Sequence, residues 1–306
     1  MRSLIGKWWP AATTAEQTQA LQQTQAMLCS LLSMAWFVEA RDPYTGGHLW
    51  RVSRYAWLLA EAAGLSASEV ARISLAGFLH DLGKISIPDA ILRKSTALDP
   101  EERQIVRTHP EQGMRMLAGH PLAGWVGEAI YSHHERLDGK GYPRALSAEQ
   151  IHLDARIVGI CDAFDAMTSS RPYRAGMSRG QALAIIHSQS GSQFDADLCR
   201  QFLELGRTGA LTHIHSHSDH GIPLQECPMC GPTLVLLREQ RSGEHLYCRN
   251  CGGEFVLKES QNQLRAQPTG RQGAAAQLQP QADHALIRRI VAEAATCLPL
   301  TTLLNL

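Results

Sequence analysis

The chain has 306 residues, 44% hydrophobic and 19% charged, which suits a globular protein of one large or two modest domains. Lys and Arg total 29 and Asp and Glu total 29, so no global field attracts nucleic acid or an anionic membrane, and an anionic ligand needs a local cluster. No apolar run approaches the ~20 residues of a membrane span, and the apolar N-terminal stretch is too short for a signal peptide, so a cytoplasmic location is expected.

Residues 1–41 form the first segment. From about 14 to 41 they are rich in Gln, Ala and Leu without Gly or Pro, and read as one helix, most apolar from Met27 to Val38. Its C-terminal half is expected to pack on the next domain; dimerisation or signal input is the other use considered. Asp42-Pro43-Tyr44-Thr45-Gly46-Gly47 breaks the helix. Residues 42–210 then read as helix after helix, an all-α bundle. Ser66 with Glu69 is a capping box, and Pro100-Glu101-Glu102 opens a helix with Pro and acids in its first turn.

Within this block lie His80-Asp81-Leu82-Gly83-Lys84 and His133-His134-Glu135. Abutting His-Asp and His-His pairs are raw material for a hydrolytic metal pair, and nitrogen and carboxylate ligands suit Fe, Mn or Zn. The candidate ligands are His48, His80, Asp81, His109, His133, His134 and Asp162. Lys84 shares a face with His80 if the helix continues through Gly83. Asp162 follows an apolar helical face, where a lone carboxylate is costly without a cation. Taken singly, His120, His152 and His187 read as hydrogen-bonded or exposed residues.

Residues 211–221 form a connector carrying His213, His215, His217 and His220, expected to be polar and exposed, with loose metal binding as the alternative. Residues 222–258 hold Cys227-Pro228-Met229-Cys230 and Cys248-Arg249-Asn250-Cys251, with seventeen residues between the pairs. Two such knuckles are a strong Zn(Cys)₄ signature and argue for metal rather than disulfides. The segment resembles a zinc ribbon, a small β module whose zinc replaces a core, and removing that zinc is expected to leave the helical block working. Cys29, Cys161, Cys199 and Cys297 read as ordinary thiols. Residues 259–283, rich in Gln, Ala and Gly, read as a disordered linker, and 284–306 as a C-terminal amphipathic helix that docks on its own protein.

The helical block resembles the HD-GYP domain of the HD phosphohydrolase superfamily, over about residues 30 to 207. The matching runs are Arg41 to His48, His80 to Lys84, Ile87-Pro88, His109-Pro110, His133 to Pro143, Ala155-Arg156-Ile157, Asp162 to Thr168 and Arg171-Pro172-Tyr173-Arg174. The resemblance implies a phosphodiesterase that cleaves cyclic di-GMP to the linear dinucleotide or GMP. It implies two divalent ions, Fe or Mn, on the seven residues above, with Asp81 bridging. Asp81 and Lys84 would be catalytic, and Lys84, Arg171, Arg174 and Tyr142 would contact substrate. The Gly141-Tyr142-Pro143 loop and the ribbon are candidate partner surfaces, and a homodimer is left open. Some members carry a Glu where this chain has Tyr44 and bind a third metal, so two are expected here. A non-catalytic cyclic dinucleotide sensor or interaction module is the alternative.

Overall fold

The computed structural model describes residues 14–298 apart from 43–44, 171–173, 232 and 262. The early expectations for Tyr44 and Arg171 therefore lie outside the described residues. Ten helices come first: α1 (Thr14–Glu39), α2 (His48–Ala62), α3 (Ala67–Leu79), α4 (Asp89–Leu92), α5 (Pro100–Val106), α6 (His109–Met116), α7 (Ala123–Ser132), α8 (Leu153–Thr168), α9 (Arg179–Ser188) and α10 (Ala196–Arg207). Seven short strands follow, β1 (His217–Asp219), β2 (Ile222–Pro223), β3 (Gln225–Glu226), β4 (Thr233–Leu234), β5 (His245–Tyr247), β6 (Gly253–Ser260) and β7 (Gln263–Gln272), before α11 (His284–Cys297). The architecture is a helical bundle with small antiparallel sheets, β1–β2, β3–β4 and β5–β6–β7.

Local sequence explains where the helices start. Ser66 and Glu69 exchange the two bonds of a capping box at α3. Asp99 and Glu102 do the same at α5, with Pro100 in the first turn. The bundle centre is aromatic: Tyr55 of α2, Phe164 of α8 and Phe202 of α10 meet edge to face, with centroids 5.1 to 6.3 Å apart. Leu28, Leu32 and Ala35 of α1 and Leu286, Ile287 and Ile290 of α11 are buried in the same core. The first and last helices thus belong to the bundle, as their apolar faces suggested.

Three sequence expectations need correction. The helix does not run through Gly83: α3 ends at Leu79 and a 3₁₀ turn spans Leu82–Ser86. The cause is α6 crossing so close that a Cβ on Gly83 would collide with the His109 carbonyl and the Gly113 amide. Residues 259–283 are not a disordered linker. β7 pairs with β6 from Gly253↔Gln272 to Ser260↔Gln263, so the sheet runs beyond residue 258. Leu264 and Ala266 pack on the ribbon core beside Phe255 and Leu257, while most of β7 faces solvent, which explains its polar composition. Nor is the His-rich connector simply exposed, because His217 begins β1 and Ser218 and Asp219 are buried. Asp219 is held there by Arg238 and Arg289.

Candidate metal centre

Helix ends place the histidines. His80 follows α3, His133 follows α7, and His109 lies just past α5. The last carbonyls of a helix lack intrahelical donors. His80 Nδ1 lies 2.7 Å from Gly77 O, His109 Nδ1 2.8 Å from Val106 O, and His133 Nδ1 2.8 Å from Ile130 O. A carbonyl only accepts, so each Nδ1 carries a proton turned toward the helix, and Nε2 is the nitrogen that faces inward. His48, the first residue of α2, is set differently: its Nδ1 meets Asp165 Oδ2 at 2.7 Å.

The inward nitrogens converge in two groups. His48, His80 and Asp162 form one, and His109, His133 and His134 the other, with the candidate ligand atoms of each group within 4.8 Å of one another. Asp81 spans them. Its Oδ2 lies 3.5 Å from both His48 Nε2 and His80 Nε2, and its Oδ1 lies 3.3 Å from His109 Nε2. Asp162 leans the same way, with Oδ1 3.4 Å from His48 Nε2 and Oδ2 4.0 Å from His134 Nδ1. All seven expected ligands are thus together.

Burial pushes His109 down to about 3 and His134 to about 4, and holds His133 well below the usual imidazole range. His109 Nε2 and His133 Nε2 therefore face each other at 3.2 Å as two lone pairs, a repulsion that a cation between them relieves. At His48 burial works downward too, but the bonds to Asp165 and Asp81 and the charges of Asp165 and Asp162 carry it up to about 9. A cation bound at His48 would have to displace that proton. Burial would raise the Asp81 carboxyl, yet Lys84 and His80 more than offset it and hold it well below the usual range. At Asp162, burial is likewise outweighed by His80 and His48. Mixed imidazole and carboxylate donors around a spanning Asp fit a pair of divalent ions.

Other expected residues separate. Lys84 Nζ lies 2.5 Å from Asp81 Oδ2, beside the centre. Tyr142 stacks on His134 with centroids 4.7 Å apart, and the Arg107 guanidinium lies 4.4 Å from the centroid of the same ring. Arg174 is committed to backbone: its Nη2 donates to Ala166 O at 2.5 Å, at the C-terminal end of α8. That end leaves carbonyls without intrahelical donors, and the guanidinium fills the gap.

Three residues without an assigned role in the sequence support the centre. Asp165 is buried and accepts from Arg51 Nε at 2.6 Å and Nη2 at 2.9 Å, as well as from His48. Glu135 is buried and accepts from the backbone N–H of Arg144 at 2.7 Å and of Leu146 at 2.9 Å, which fastens the loop carrying Tyr142. The available signal was spacing: Asp165 is three residues past Asp162, and Arg51 three past His48.

A second cluster lies in the segment expected to be a zinc ribbon. Cys227, Cys230, Cys248 and Cys251 converge, with Sγ separations of 3.6 Å for Cys227–Cys251 and 3.5 Å for Cys230–Cys248. A tetrahedral Zn–S₄ site with bonds of about 2.3 Å needs sulfurs about 3.8 Å apart, so the four thiols fit zinc. Gly231 and Gly252 sit at φ 79 and 73, each donating to the carbonyl of its pair's first Cys at 2.8 Å. The connector histidines join no such cluster among the described residues.

Residues 32–198 match the HD domain family, over half the chain, and the chain belongs to that family. Relatives narrow the comparison. The chain is 44% identical over 168 residues to the cyclic di-GMP phosphodiesterase response regulator RpfG of Xanthomonas campestris, covering 54% of this chain and 44% of that protein. It is 40% identical over 169 residues to a cyclic di-GMP phosphodiesterase of Thermotoga maritima, covering 55% and 46%. It is 38% identical over 186 residues to the 3'3'-cGAMP-specific phosphodiesterase 2 of Vibrio cholerae, covering 60% and 35%. The matches thus span less than half the length of each of these relatives. A cyclic GMP-AMP specific phosphodiesterase structure from V. cholerae aligns with TM-score 0.46 and 20% identity, covering 60% of this chain and 50% of that one. No helix among the described residues is long and apolar enough to cross a membrane.

Proposed function

We propose that the helical block is a metal-dependent phosphodiesterase of cyclic dinucleotides, with cyclic di-GMP as substrate and the linear dinucleotide or GMP as product. The observation that carries this is the carboxylate of Asp81 reaching both groups of inward imidazole nitrogens, with His109 and His133 confronting each other as bare lone pairs. His48, His80, Asp81 and Asp162 would hold one ion, and His109, His133, His134 and Asp81 the other, with Fe or Mn suited to the donors. When bound, the two ions supply an acidified water and a clamp for in-line displacement at phosphorus.

The chain's own groups would do the rest. Lys84, next to Asp81, offsets charge gathering on the phosphoryl oxygens. Tyr142 and Arg107 would border the centre beside His134 and could meet the substrate through the phenol and the guanidinium. Arg171 keeps its proposed phosphate contact. Arg174 could take up the same role only by leaving the α8 carbonyls. The four ribbon cysteines would hold one structural zinc.

The test is product chromatography of purified protein, loaded with Fe or Mn, on cyclic di-GMP and on 3'3'-cGAMP. Linear dinucleotide or GMP from the first supports the reading, faster release from the second moves the substrate, and no product from either refutes a hydrolase.

A further inference from the structure

The ribbon is built against the metal centre, although the two look independent in sequence. Arg41 sits in the turn between α1 and α2 and staples it to the segment after His80-Asp81. Its Nη1 donates to Ile85 O at 2.9 Å, its Nη2 to Ile87 O at 2.7 Å, and its Nε to Asp89 Oδ1 at 2.9 Å. That segment begins with Lys84, and the turn leads into His48. Arg249, between Cys248 and Cys251, grips the same place from the ribbon. Its Nη1 donates to Ala40 O at 3.3 Å, and its guanidinium lies 5.3 Å over the ring of Trp36, one helical turn earlier. Arg93, four residues past Asp89, donates from its Nη2 to Arg249 O at 3.2 Å, so the knuckle touches both the turn and the stretch that follows the stapled segment.

We propose that Arg249 is a positioning residue for the metal centre: the zinc knuckle holds it, and it holds the Ala40–Arg41 turn that sets Lys84 and His48. The knuckle can do this only while its four thiols are gathered, because Arg249 is flanked by two of them. Zinc loss therefore costs turnover as well as ribbon structure. This rests on the phosphodiesterase reading for its activity arm, but not for its structural arm.

The experiment uses the full chain, zinc-replete and saturated with Mn, as wild type, Arg249→Ala, Arg249→Lys and Arg93→Ala. Amide exchange is followed at 40–48 and 84–94, together with kcat and KM on cyclic di-GMP. Arg249→Ala should speed exchange in both segments and lower kcat about tenfold, since small misplacements of positioned groups are costly, while KM stays within about twofold. Arg249→Lys should recover part of both, because an ammonium can still sit over Trp36 and donate to Ala40. Arg93→Ala changes an exposed residue outside the ribbon, so it reports even if Arg249→Ala disrupts the knuckle, and should shift the same segments less. Unchanged exchange at 84–94 in both alanine variants, or faster exchange with unchanged kcat, overturns the proposal. If the wild type hydrolyses nothing, the phosphodiesterase reading fails, and the exchange arm alone decides whether the knuckle holds the turn.

Discussion

Glu135→Gln isolates one carboxylate that touches no candidate ligand atom yet governs the loop beside the centre. The Glu135 oxygens accept separately from Arg144 N at 2.7 Å and Leu146 N at 2.9 Å. Both donors are backbone amides, so neither can turn away. Glutamine keeps the size but offers one oxygen and one NH₂, which forces a donor against a donor at one of the two positions. A hydrogen bond to a charged acceptor is worth about 1.5–3 kcal/mol, so losing one and weakening the other should cost about 2–4 kcal/mol. That cost falls on the loop. A local opening eased by about 2 kcal/mol speeds exchange roughly thirtyfold at the amides of 142–147 while the helical core stays protected. Tyr142 should then lose its fixed stack on His134, and KM for cyclic di-GMP should rise with metal content unchanged. Exchange at 142–147 equal to wild type would refute the reasoning, because it would mean the two bonds do not hold the loop.

Asp165→Asn should lower unfolding free energy by about 3 kcal/mol, the low end for a broken buried pair, because Arg51 keeps bonds to Gly46 O and His217 O; urea unfolding measures it. Asp81→Ala should abolish metal pairing and cut turnover about a thousandfold or more, read by metal analysis beside product release; full turnover with one ion bound would contradict a spanning Asp81. Gly83→Ala should destabilise by several kcal/mol or prevent folding, since the new methyl meets backbone rather than a movable side chain, and a wild-type melting temperature would refute that packing. The metal-stripped protein should be most stable near neutral pH. His109 (about 3) and His134 (about 4) are depressed below an unfolded value of about 6.5, so the unfolded chain takes up more protons as pH falls and stability drops below about 6.5. His48 (about 9) is raised, so its contribution is full below about 6.5 and is lost as pH climbs through about 9. A monotonic urea midpoint between pH 5 and 9.5 would contradict this.

Much of the fold was legible because apolar spacing and caps are local signals. The capping box at Ser66 and the apolar faces of α1 and α11 needed no knowledge of their partners. β7 was not legible, because its pairing with β6 is satisfied by backbone groups and leaves most of its side chains in water. A polar, Gln-rich strand of that kind carries the composition of a linker. The turn at Lys84 was hidden for a different reason. Whether a helix can pass Gly83 depends on the approach of α6, a tertiary contact with no local trace.

The site was more legible than the fold around it, and helix ends explain why. A ligating imidazole needs its second nitrogen anchored, and the cheapest anchor is a carbonyl that a helix has left without a donor. Three of the candidate ligand histidines use the carbonyl three residues before them, at or near a helix end. Those histidines therefore carry the carbonyl that anchors Nδ1 within four residues of sequence, and a short motif is enough to find them. His109 also begins a helix, but α5 ends three residues before it, whereas α1 ends nine residues before His48, which therefore has no such carbonyl. Its anchor must come from far along the chain, and Asp165, 117 residues away, supplies it with Arg51 holding that carboxylate in turn. Sequence reading missed the anchor of His48 because that support is not local.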